Sequence, residues 1–128
     1  MKILIVDDSI TMLMTLELML REIGYTDVVK TESPQESIKI AAAIQPNLIL
    51  LDWNMPVMDG LTVLKIIKAD EQTKNIPVIM VTMENAVDRV SEAIQNGAEG
   101  FILKPVNKEL LRIRLQDIES SHLLGLKQ

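Results

Sequence analysis

Five polar side chains in this sequence stand directly behind short apolar runs, and their types could do chemistry together. Asp7 and Asp8 follow Ile3–Val6, Asp52 follows Leu48–Leu51, Thr82 follows Val78–Val81, and Lys104 follows Phe101–Leu103. An acid or a threonine in such a place often caps the next helix, and Asp8 or Ser9 could serve that purpose. Capping accounts for single positions but not for the set, because three carboxylates drawn together repel one another and raise each other's pKa unless a cation sits among them. Lys104 can offset only one charge. Hard oxygen ligands suit Mg²⁺, which keeps several waters and works with a few carboxylates plus a phosphoryl oxygen. The set therefore predicts a magnesium site with room for a phosphoryl group, provided that the fold brings these residues together.

The apolar runs, with Val28–Val29 added, read as five short strands. Each is followed by a helical pattern with spacings of three and four: Leu13, Leu16, Leu20 and Ile23; Ile38, Ala41 and Ala42; Leu61, Leu64 and Ile67; Val87, Val90, Ala93 and Ile94; Leu111, Leu115 and Ile118. Ser33-Pro34-Gln35-Glu36 is a capping box with proline at the first helical position, while Gly24 and Gly97 sit where helices should stop. A strand–helix unit repeated five times predicts a doubly wound α/β domain, a parallel sheet with helices on both faces. Parallel strands share a direction, so their carboxyl ends line up along one edge, where such sheets bind ligands at the topological switch point. In the strand order 2-1-3-4-5 the first and third strands flank that point, and Asp7, Asp8 and Asp52 converge from neighbours. Val28–Val29 is short and polar-flanked, which places it at an edge.

A chain of 128 residues, 48% hydrophobic, suits one domain with a real core. Residues 1–119 form that domain, and 120–128, SSHLLGLKQ, read as a frayed helix end or a tail. No apolar run approaches the roughly 20 residues needed to cross a bilayer, and Met1-Lys2 leads straight into the first strand without a signal-peptide pattern. The expectation is a soluble, cytoplasmic protein with no membrane partner. Without cysteine there is no disulfide, thiolate zinc site or cysteine nucleophile. A net charge of -5 argues against nucleic acid as a partner, which needs a clustered basic surface.

The combination of VDDS, LDWNMPVMDG, VTMEN and FILKP resembles the receiver domains of two-component response regulators, in particular the stand-alone chemotaxis type, CheY, over residues 2–118. The resemblance implies a flavodoxin-like (βα)5 fold and a set of roles. Asp52 is the phosphoryl acceptor; Asp8 binds Mg²⁺ directly, Asp7 helps through water, and the Asn54 backbone carbonyl completes the protein's share. Thr82 and Phe101 are the switch pair, and Lys104 pairs with the phosphoryl group. A histidine kinase is the implied donor, and an output protein docks on the face made by the fourth helix, fifth strand and fifth helix. A monomer or weak dimer is expected. Such roles make physical sense: an aspartate can attack phosphorus if its charge and that of the incoming group are partly neutralised.

Several positions carry further expectations. Pro105 resembles the family's cis peptide after Lys104. Gly60 reads as a turn glycine relieving a positive φ, and the eight methionines as core fillers, with Met14 and Met19 on the first helix. His122, the only histidine, reads as solvated rather than as a phosphodonor. Phe101 stands where the best-known chemotaxis regulators have tyrosine, so a hydroxyl that could bond a partner is missing. Met83 replaces a usually small residue and would crowd the mouth of the site, slowing bulky donors, while Glu84 stands where the family tunes hydrolysis. A flagellar motor regulator and a phosphorelay intermediate look alike at this level. An aspartate-nucleophile phosphohydrolase would want a second acid where Asn54 stands. A flavin carrier would want aromatics, of which there are one Trp, one Tyr and one Phe.

Overall fold

A computed structural model describes residues 1–83 and 87–127, with 122–127 as backbone helix alone. Five strands, β1 (Ile3–Val6), β2 (Val28–Thr31), β3 (Leu48–Asp52), β4 (Val78–Thr82) and β5 (Gly100–Leu103), form one sheet in the order β2-β1-β3-β4-β5. Every pairing is parallel. Helices α1 (Ile10–Ile23), α2 (Pro34–Ile44), α3 (Gly60–Ala69), α4 (Val87–Gln95) and α5 (Lys108–Lys127) alternate with them. This is the expected doubly wound (βα)5 domain with β2 at an edge.

The apolar runs are continuous rather than alternating because both sheet faces are covered. Leu4, Val6, Ile49, Leu51, Val78 and Met80 face Ala41 of α2, Val63, Leu64 and Ile67 of α3, and Ala93 of α4. Their neighbours Ile3, Ile5, Leu48, Leu50, Ile79 and Val81 face Leu13, Leu16 and Leu20 of α1 and Leu111 and Leu115 of α5. Val6 pairs with Leu51 and Asp52 with Val81, so the chain leaves three central strands at one level. Both β3 and β4 run one residue past their apolar runs. Asp52 and Thr82 are thus inside strands, held by the ladder rather than by loops.

Helix starts follow the expected chemistry with one difference. Ser9, not Asp8, caps α1, its Oγ accepting from the Met12 N–H at 3.2 Å. Ser33 Oγ caps α2 by accepting from the Glu36 N–H, but the Ser33 N–H donates to Thr31 Oγ1 instead of to Glu36, so only half the capping box forms. Gly24 and Gly97 adopt φ of 119° and 102° where α1 and α4 end. The methionines divide: Met55 and Met80 are buried and Met19 packs at the core margin, but Met14 is 60% exposed. On α4, Ala93 is buried while Val87 and Ile94 are exposed, so its predicted apolar face is only partly used. Among the described residues no helix is long and apolar enough to cross a membrane.

Candidate functional site

Adjacent strands β1 and β3 deliver Asp7, directly after one, and Asp52, last in the other, to the same edge of the sheet. Ligand oxygens of Asp7, Asp8 and Asp52 lie within 4.8 Å of one another; Asp7 and Asp52 are buried, and Asp8 is exposed at the rim. Lys104, directly after β5, reaches across the end of β4 to them. Its Nζ donates to Asp7 Oδ2 at 2.8 Å and lies 3.3 Å from Asp52 Oδ1. The Lys104 N–H donates to the Thr82 carbonyl at 2.9 Å, and the peptide bond to Pro105 is cis, as expected. The Asp7 Oδ1 also accepts from the Ser9 N–H, which joins the acid to the start of α1.

Charge is unevenly balanced here. Burial, then the neighbouring Asp7 carboxylate, push the Asp52 carboxyl up from 3.8 to about 6, against the pull of Lys104 and of the Asn54 N–H. Burial opposes the charge of Lys104, but its hydrogen bond to Asp7 and the nearby charges of Asp52 and Asp7 raise its pKa overall. Three acids against one ammonium leave two negative charges in a pocket of hard oxygen donors. That donor set fits a divalent cation of the Mg²⁺ kind, whose charge would offset the repulsion.

The loop after β3 is built around Asp52. Gly60 begins α3, and its N–H donates to the Trp53 carbonyl at 2.7 Å. A Cβ at Gly60 would lie 2.1 Å from the Asp52 carbonyl oxygen and 2.8 Å from Trp53 Cα. The glycine is therefore required by close approach to the Asp52 backbone, not by the positive φ that the sequence suggested; among the described residues that conformation belongs to Gly24, Gly97, Gln45 and Val57. Asp59 caps α3, its Oδ1 accepting from the Thr62 N–H and hydroxyl.

The remaining predicted residues surround this centre. Asn54 is exposed, and its N–H donates to Asp52 Oδ1 at 3.4 Å. Thr82 is fully buried at the end of β4, and Phe101 is half-buried on β5. The Phe101 ring meets Trp53 edge-on, with centroids 6.5 Å apart. Trp53 is 2% exposed, and the Arg89 guanidinium of α4 lies 5.2 Å from its ring centroid. Met83 is 75% exposed and so stands out from the rim rather than closing it. Glu84 and the side chain of His122 lie outside the described residues.

Two features escaped the sequence reading. Arg89 over Trp53 has no sequence signal, since the contact depends on where α4 lies. Ile10, Met14 and Leu18 form an exposed apolar row on α1, starting two residues from Asp8 and bordered by Glu17, Arg21 and Lys30. Their spacing of four could have revealed that row, but the stronger stripe of Leu13, Leu16 and Leu20 was read as the helix's one apolar face.

Comparison with known proteins agrees with the geometry. Residues 3–116 match the response regulator receiver domain family. The chain is 36% identical to chemotaxis protein CheY of Pseudomonas aeruginosa over 118 residues, 92% of this chain and 95% of that one. It is 38% identical to chemotaxis protein CheY1 of Helicobacter pylori over 117 residues, 91% and 94% of the two chains. Among solved structures, Vibrio cholerae CheY4 superposes with a TM-score of 0.84 at 33% identity, covering 91% of this chain and 97% of that one. The receiver domain of a sensor histidine kinase from Pseudomonas aeruginosa, with magnesium coordinated in its active site cleft, superposes at 0.82 with 28% identity, covering 91% and 94%. With the fold, the acidic edge and the relatives in agreement, this chain belongs to the response regulator receiver domain family and is of the CheY type.

Proposed function

We propose that the chain accepts a phosphoryl group on Asp52 from a histidine kinase, and that the modification changes which proteins bind it, in chemotactic signalling. One observation carries the reading: Asp7, Asp8 and Asp52 converge from neighbouring strands with Lys104 as their half-buried countercharge. Asp7, Asp8, Asp52 and the Asn54 carbonyl would hold Mg²⁺, which when bound neutralises charge on the acceptor and on the phosphoryl oxygens.

An Asp52 carboxylate oxygen attacks phosphorus; the O–P bond forms as the P–N bond of the donor's phosphohistidine breaks, and the departing imidazole nitrogen takes a proton from solvent. Phosphoryl transfer depends mostly on position and electrostatics. The β3 ladder fixes Asp52, and Lys104 offers its ammonium to the incoming oxygens. The Thr82 hydroxyl, on the adjacent strand end, donates to the phosphoryl group once it is attached. As Thr82 moves, Phe101 turns inward beside it, altering the face of α4, β5 and α5. A groove there, lined by Val90, Phe101, Leu103, Leu110, Arg114 and Ile118, suits an output protein. The modification biases this equilibrium only through contacts that differ between the two states. The relatives' names support the chemotactic setting, and a cytoplasmic location is part of the same proposal.

A second reading, a phosphorelay intermediate, draws on the likeness to a histidine kinase's receiver domain and on the row of Ile10, Met14 and Leu18, which offers a helical donor an apolar track leading to the rim. A phosphohydrolase is disfavoured because Asn54 supplies no acid beside the acceptor. Intact mass spectrometry after incubation with acetyl phosphate and Mg²⁺ tests the reading. The wild type should gain one phosphoryl group and Asp52→Asn none; a wild type that never gains it, or a variant that does, refutes the assignment.

A further inference from the structure

Trp53, the only tryptophan, follows the acceptor in sequence yet is almost completely covered. Two side chains from different elements lie against its ring. Phe101 comes from β5, edge-on with an interplanar angle of 62°, and Arg89 comes from α4 with its guanidinium over the ring. α4 is otherwise lightly held, since Ala93 is its one buried residue among those described. The Arg89–Glu92 pair is 4.0 Å long, beyond hydrogen-bond reach, so among the described residues no hydrogen-bonded ion pair competes with the indole for the guanidinium. Cations are drawn to an indole face by the ring quadrupole. One indole therefore joins the acceptor's own strand to α4 on one side and to the ring of β5 on the other.

We propose that Arg89 is a positioning residue that couples α4 to the acceptor: its stack on Trp53 favours the arrangement in which Phe101 stays half-exposed. When Phe101 turns toward Thr82, the ring leaves the indole edge, and α4 must shift to keep the indole covered. The guanidinium stack resists that shift. Removing the cation while keeping the bulk should make the switch easier to throw without touching the acids. The proposal rests on the receiver reading, and its test separates the two.

Beryllofluoride, a phosphoryl mimic, is titrated in saturating Mg²⁺ into wild type, Arg89→Met and Arg89→Lys, with Trp53 emission as the signal; Mg²⁺ alone is titrated separately. Arg89→Met should reach half-saturation at roughly two- to fivefold lower beryllofluoride, the range expected for losing one half-exposed cation–ring contact. Its Mg²⁺ half-saturation should not move, and Arg89→Lys, which keeps a cation, should stay within about twofold of wild type. An unchanged beryllofluoride midpoint in Arg89→Met overturns the proposal, as do a parallel change in the Mg²⁺ midpoint or equal behaviour of the Met and Lys variants. A wild type silent to beryllofluoride, or an Asp52→Asn protein that responds, would instead remove the receiver reading and this proposal with it.

Discussion

Replacing Asp52 by Asn should end phosphorylation and yet stabilise the ion-free protein. Asp52 is 4% exposed beside a second buried acid, and its carboxyl titrates at about 6 rather than 3.8. Between those values the folded state holds a proton that the unfolded chain has lost, so stability falls as pH rises through that window and the full penalty is present above it. A displacement of roughly two pH units, at about 1.4 kcal/mol each, sets a ceiling of about 3 kcal/mol. Asparagine has no charge to desolvate. Nor does the substitution orphan Lys104, whose 2.8 Å bond to Asp7 remains. A gain of about 1–3 kcal/mol corresponds to a rise in Tm of roughly 3–10 °C for a domain of this size. Calorimetry of both proteins at pH 7.5 and pH 4, with and without Mg²⁺, makes the check. The gap should shrink toward pH 4 and again on adding Mg²⁺ to the wild type. An Asp52→Asn protein no more stable than wild type at pH 7.5, or a gap that ignores pH, would refute the electrostatic account.

Gly60→Ala forces a methyl group against the Asp52 carbonyl and should cost about 3 kcal/mol in urea unfolding, with phosphoryl uptake reduced at least about tenfold in what remains folded; a wild-type midpoint would mean that the loop has room. Val57, β-branched and 94% exposed at φ 72°, holds a conformation that asparagine tolerates better, so Val57→Asn should raise stability by about 1 kcal/mol in the same assay. Lys68 donates to the Ile76 carbonyl at 2.7 Å and to Glu99, which in turn accepts from the Val78 N–H. Lys68→Met should lower stability by about 1–3 kcal/mol, read by thermal unfolding, while leaving phosphoryl uptake intact, because the cluster lies at the far end of β4. In saturating Mg²⁺, whose charge offsets the repulsion that lifts Asp52 to about 6 in the ion-free protein, uptake from acetyl phosphate should hold its rate as pH drops through about 6; a rate that falls there would mean that the ion leaves the Asp52 proton in place.

Sequence pattern was most informative where one physical demand acts alone. Strands buried on both faces need unbroken apolar runs, and every run became a strand; parallel direction then brought Asp7, Asp8, Asp52 and Lys104 to one edge. Residues answering to two demands were misread. Glycine at position 60 announces that a side chain is forbidden, but not whether φ or a neighbouring backbone forbids it. Met14 lies on a helix apolar on more than one side, so periodicity alone did not say which stripe meets the sheet. Asp52 and Thr82 stand at the ends of their strands, as the polar residues after the apolar runs imply, and the ladder pairs both of them. Arg89 on Trp53 is a contact between a helix and a strand neighbour far apart in sequence, and nothing local encodes it.

Lys104 lies 97 positions from the acid it bonds, directly after the last strand in the sequence. Until that segment arrives, a partly assembled chain holding β1 against β3 carries its crowded anions with no ammonium beside them. Docking of the C-terminal strand is thus favoured by electrical relief as well as by burial of Ile102. Docking β5 and supplying the ammonium beside Asp52 and Asp7 are thus one event, and a product truncated before β5 should be both less compact and chemically mute.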